Sequence, residues 1–138
     1  MTIKNSTDSH RIFVFGSNLK GRHGAGAALH AYIHYGALEG KGQGLAGRSY
    51  AIPTKDANIK TLPLITIATC INTFIKFVRE HPIVEFNMTQ IGCGLAGYDP
   101  EQIAPLFKEI ADDNWLVWFD PTWRRFFPKH TKFWSHPI

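Results

Sequence analysis

All twelve glycines of this 138-residue chain fall in two windows, nine from Gly16 to Gly47 and three from Gly92 to Gly97. Each window opens directly after a run of strand-forming residues and leads toward a segment with helical periodicity. A strand, glycine loop and helix in that order put the loop at the carboxyl edge of a sheet, where open α/β folds bind ligands. Glycine there permits a tight turn, and its missing Cβ also lets backbone N–H groups approach phosphate oxygens. Two such loops predict a phosphate-binding site on an α/β domain.

The remaining elements follow from hydrophobic spacing. Arg11 to Phe15 is a short buried strand ending at Gly16. Ala25, Ala28, Leu29 and Tyr32 recur at helical spacing over residues 24–35, with Gly36 as the helix stop. Residues 40–47 read as a glycine-rich loop, Arg48 to Pro53 as a strand closed by proline, and 54–61 as a polar connection. Leu64, Ile67, Ala68, Ile71, Phe74, Ile75 and Val78 mark a helix from Pro63 to Glu80. Val84 to Ile91 is a strand, Asp99 caps a following helix that Pro105 should kink, and Trp115 to Phe119 is the last strand. This alternation predicts a three-layer α/β/α fold with a largely parallel central sheet. The organisation is a flexible leader (1–10), one domain (11–120) and a basic aromatic C-terminal tail (121–138) that packs on the domain.

Composition narrows the classes. With 44% hydrophobic and 19% charged residues, the chain is not disordered. No apolar run reaches the roughly 18–20 residues of a membrane span, and the polar start holds no signal-peptide core. A soluble, cytoplasmic protein without a membrane partner is expected. Cys70 and Cys93 form no framework or metal cluster and should be reduced thiols. The net charge of +4 is local: Arg124, Arg125, Lys129 and Lys132 lie in the last 18 residues, which hold no acid. That tail also carries Trp123, Phe126, Phe127, Phe133 and Trp134, so it could track a nucleic acid or simply pack with its cations in water. The second reading is favoured.

Common nucleotide motifs are absent. Gly21, Gly24 and Gly26 do not fit Gly-x-Gly-x-x-Gly, and Gly42, Gly44 and Gly47 fit it but precede a strand instead of a helix. No Gly-Lys-Ser/Thr is present. His30 and His34 share metal-ligand spacing without a completing acid, so no metal is expected. His23 reads first as a solvated histidine of the first loop, with a phosphate donor or general acid as the alternative. Cys93 is read as a small residue that lets the backbone close on phosphate, and Cys70 as core.

Three segments, in order, resemble the macrodomain family, over roughly residues 11–120. They are Ser17-Asn18 through Gly24-Ala25-Gly26-Ala27-Ala28, then Tyr50 to Lys55 ending in Thr-Lys, then Ile91-Gly92-Cys93-Gly94-Leu95-Ala96-Gly97-Tyr98. The third is the most specific; with the Thr-Lys ending it is similar to the branch that includes the terminal ADP-ribose protein glycohydrolase. The Phe-Gly-Ser-Asn opening also resembles a group of phage and bacterial macrodomain-like proteins.

The resemblance implies a module that binds ADP-ribose, or a related NAD-derived nucleotide, without a cofactor. The diphosphate would lie against the backbone of Gly24 to Ala27 and of Gly92 to Gly97. Its partner would be the free nucleotide or an ADP-ribosylated macromolecule. In the glycohydrolase branch a lysine amine adds to the anomeric carbon, helped by an aspartate in the diphosphate loop. Lys55 matches the lysine; Ala96 stands in place of the aspartate, with Asp99 three residues on and Asp56 beside Lys55. Asn18 is assigned to the distal ribose and, as the alternative to attack by Lys55, to holding an attacking water, and Tyr98 to stacking on a base or ribose. Other members set an aspartate ahead of the first glycine loop against the adenine amine; here that region offers Asp8. Hydrolase and non-catalytic reader both stand as expectations.

Overall fold

A computed structural model describes residues 10–135. The leader, with Asp8, lies outside the described residues apart from His10. Five strands form one sheet: β1 (Ile12–Asn18), β2 (Gly44–Ala46), β3 (Ser49–Lys55), β4 (Phe86–Met88) and β5 (Val117–Trp118). Their spatial order is β2-β3-β1-β4-β5, with β3, β1, β4 and β5 parallel and β2 antiparallel at one edge. The helices are α1 (Gly26–His34), α2 (Leu64–Glu80), α3 (Pro100–Ile103) and α4 (Lys108–Asp112). Single 3-10 turns cover Ala104–Phe107 and Pro121–Phe126.

Strand periodicity divides the core into two. Val14, Tyr50, Ile52, Phe86, Met88 and Val117 point to the face covered by α2 and by Ile103, Phe107 and Ile110. Phe13, Phe15 and Ala51 point to the other face, where Ala28 and Ala31 of α1 meet them along with Trp134. Alternate residues of β1 thus feed opposite layers, as a twofold strand repeat requires. The result is an α/β domain with a mostly parallel mixed sheet, an arrangement compatible with three layers.

Several boundaries depart from the sequence reading, β4 and β5 being shorter than the strands read over Val84–Ile91 and Trp115–Phe119. Residues 44–46, read as loop, form β2 against Ser49–Ala51; three residues among glycines carry too little strand signal to be seen. β1 runs past Gly16 to Asn18, with an irregularity between Ser17 and Asn18. β3 runs past Pro53 to Lys55, because β2 pairs only as far as Ala51 and Pro53 is flanked by β1 alone. Pro105 does more than kink: it sits in a 3-10 turn that separates two short helices.

Candidate functional site

The connections leaving β1 and β4 go to opposite faces of the sheet, β1 to α1 and β4 to α3. Adjacent parallel strands with diverging connections leave a crevice at their carboxyl ends. A cavity of about 870 Å³ occupies it, inside the roughly 300–1,000 Å³ usual for small-molecule and cofactor sites.

Strand ends form the floor: Gly16, Ser17 and Asn18 from β1, Thr54 and Lys55 from β3, Thr89 and Gln90 after β4, and Asp120 after β5. One wall is Gly24 to Ala28 at the start of α1, and the other is Gly92, Gly94, Leu95 and Ala96. Lys55 ends β3 and Asp120 lies two residues beyond β5, three places across the sheet, which separates their backbones by roughly 14 Å at sheet spacing. The cavity is therefore an elongated groove with a cation at one end and a carboxylate at the other.

The first wall is the unblocked start of a nine-residue helix. Ala25 is its N-cap, makes no side-chain cap and leaves no acid in the first turn, so the N-terminal amides keep their attraction for an anion. Arg22 stands beside it, its backbone gripped by Asn18: Arg22 N–H donates to Asn18 Oδ1 at 3.0 Å and Asn18 Nδ2 donates to Arg22 O at 2.7 Å. Asn18 lies on the groove floor and opposite Lys55 in register, but its amide is first of all a clamp on this loop.

The second wall is tied down at both ends. Tyr98 N–H donates to Gly92 O at 2.9 Å, Tyr98 OH donates to Leu62 O at 2.7 Å, and Thr61 Oγ1 donates to Ala96 O at 2.8 Å. Tyr98 and Cys93 pack toward the core on the α2 side and are not lining residues. Burial, reinforced by the negative charges of Asp99 and Asp120, pushes the Cys93 thiol up to about 11; it stays protonated at neutral pH and is a poor nucleophile. Asp99 caps α3, its N–H donating to Gln102 Oε1 at 3.0 Å, and does not line the groove. Neither does Gly97.

His23 turns away from the groove. It is 2% exposed, with Nε2 2.8 Å from Leu38 O and its N–H donating to Glu39 Oε1 at 2.9 Å. Its ring braces the first loop against Phe15. His30 does line the groove, against Phe13, His34 and Tyr35. Burial, then the neighbouring His34 charge, holds it below the usual imidazole range. Among the described residues no three His, Cys, Asp or Glu come together as a metal site, and no helix is long and apolar enough to cross a membrane.

The sequence reading passed over Arg22, Thr89, Gln90 and Asp120. Thr89 and Gln90 fall inside the strand read over Val84 to Ile91, whereas Asp120 carries a usable signal, since it directly follows the strand read over Trp115 to Phe119. Asp120 is 2% exposed and its Oδ1 accepts from Thr122 N–H at 2.9 Å and Thr122 Oγ1 at 2.7 Å.

No family model and no curated protein sequence matches the chain. Among solved structures it is similar to a protein of unknown function from Bacteroides thetaiotaomicron. The TM-score is 0.56 at 18% identity, over 79% of this chain and 87% of that one. A likeness at that identity concerns the fold alone.

Proposed function

We propose that this chain is a macrodomain-like α/β/α module whose groove binds ADP-ribose or a related NAD-derived nucleotide, with the diphosphate between the two glycine-bearing walls. The observation that carries the reading is the behaviour of Gly24 and Gly94. A Cβ built on either meets no atom within 4 Å, and neither has a positive φ. Neither packing nor backbone conformation asks for glycine there, yet both line the groove. Open backbone on two facing walls, beside an uncapped helix start and the cations Arg22 and Lys55, suits an anion with several oxygens.

Lys55, at the groove end next to Asn18, also suits the hydrolytic version of this reading. In that version its neutral amine adds to the anomeric carbon of the terminal sugar, the acceptor's carboxylate leaves, and water then hydrolyses the lysine adduct to free ADP-ribose. Release of ADP-ribose from an ester-linked acceptor by the wild-type chain distinguishes hydrolase from reader.

Calorimetric titration with ADP-ribose, with AMP and NAD as comparators, tests the site. Gly94→Glu places a carboxylate where the diphosphate would lie, in space the fold leaves open. The variant should melt like wild type and lose at least about 100-fold in ADP-ribose affinity, since a desolvated like-charge contact costs several kcal/mol. A folded Gly94→Glu that binds normally removes the site from this groove.

A further inference from the structure

The connection between β3 and α2 contains a backbone conformation that its sequence resists. Ile59 has φ +63°, in the left-handed region where a β-branched side chain crowds its own carbonyl. Elsewhere the described chain meets positive φ with glycine, at eight positions, or with Asn114, a residue type that tolerates it. Core packing does not explain the isoleucine, which is 46% exposed.

The turn is imposed from outside Ile59. Asp56 Oδ1 accepts from Asn58 N–H at 2.8 Å and Lys60 N–H at 3.0 Å, Asp56 N–H donates to Lys60 O at 2.7 Å, and an antiparallel bridge joins Lys55 to Thr61. A β-branched residue held at positive φ is strained, and such strain persists where the surrounding structure over-determines it and clusters at ligand clamps. Ile59 lines the groove at the Lys55 end. Thr61 of the same turn is bonded to Ala96 O at 2.8 Å, beside Leu95, which is 70% exposed and lines the same groove.

We propose that Ile59 is a specificity-determining residue whose branched side chain covers the C–H face of the terminal sugar of the bound nucleotide. This rests on the nucleotide reading above and assigns the group beyond the diphosphate. The neighbours define that group. The Lys55 ammonium disfavours a cationic ring and calls for oxygen acceptors such as hydroxyls, and Ile59 calls for an apolar face. A sugar ring has both, hydroxyls at its rim and C–H groups on its face. Ile59 then separates ligands that carry the terminal sugar from those that stop at the diphosphate.

The test is titration of wild type, Ile59→Gly and Ile59→Asn with ADP-ribose and with ADP, alongside melting temperatures. Glycine and asparagine both accept φ near +60°, so both variants should melt at or above the wild-type temperature. ADP-ribose affinity should fall about tenfold in both, as loss of a few buried aliphatic carbons predicts, while ADP affinity stays unchanged. An ADP-ribose to ADP preference that survives in Ile59→Gly overturns the inference and leaves the nucleotide reading standing. Equal losses for both ligands, or wild-type behaviour in Ile59→Asn, also overturn it. Wild type that binds neither ligand overturns the nucleotide reading and the inference with it.

Discussion

Glycine in this chain has two different jobs, and single residues separate them. A Cβ on Gly42 would lie 2.1 Å from the carbonyl oxygen of Asn18, and the Ser17 hydroxyl donates to the Gly42 carbonyl. Gly42 is thus the surface on which the end of β1, with Asn18, rests. Gly42→Ala must displace that strand end and should cost about 2–4 kcal/mol, read as a lower urea midpoint at unchanged slope. Gly94→Ala, with open space around it, should stay within about 0.5 kcal/mol of wild type. Clustering in the sequence marks both positions, but the letters are the same. What distinguishes them is how closely another segment approaches, and that is set by tertiary packing. Ile59 was illegible for a similar reason: nothing local announces a left-handed isoleucine, and only the Asp56 turn enforces it.

At the level of elements, the groove-lining groups gather at the carboxyl ends of the strands and a brace holds the opposite ends. Arg11 Nε donates to Glu85 Oε1 at 3.0 Å, Arg11 Nη1 to Asn87 Oδ1 at 3.3 Å, and the guanidinium lies 3.6 Å from the Trp118 ring centre. One side chain thereby links β1, β4 and β5, of which the last two are only three and two residues long. Burial raises the Glu85 carboxyl, but hydrogen bonds from Arg11 and His10 and their charges outweigh it and hold the group below its usual value of 4.5. A depressed carboxyl contributes stability that is complete above its unfolded value and is lost as pH falls through the folded one. Glu85→Gln should therefore lower the melting temperature at pH 7, with the gap to wild type closing as pH falls below about 4.5 and through the depressed folded-state value. A gap that stays constant over that range would mean the charge contributes nothing. The long parallel-sheet pattern was legible because α2 and the central strands have strong periodicity. Strands as short as β2 have none, and their pairing comes from neighbours.

For the whole molecule, the question is whether residues 121–135 are an appendage or part of the fold. Trp123 is fully buried beside Phe107 and Phe119. Trp134 is 4% exposed, with Nε1 donating to Met88 O at 2.9 Å, and its N–H donates to Phe119 O at 3.1 Å. These rings complete the two cores, so they offer no stacking platform for bases. The cations divide accordingly: Arg124, Arg125 and Lys129 are exposed, with Arg124 over the Phe133 ring and Arg125 over the Phe126 ring, while Lys132 donates to the Asn114 side chain. Deleting this segment would open both cores and says nothing clean about function. Charge and packing can instead be tested apart. Trp134→Ala should cost about 3–5 kcal/mol, as for other large core truncations. The triple change Arg124→Ala, Arg125→Ala and Lys129→Ala should cost no more than about 2 kcal/mol, the sum of two exposed cation–π contacts, and leave ADP-ribose titration unchanged. If wild type binds nucleic acid with a salt dependence that the triple change removes, the basic surface is a second binding site. If wild type shows no such binding, the basic residues of this segment serve the solvated face of a structural strap.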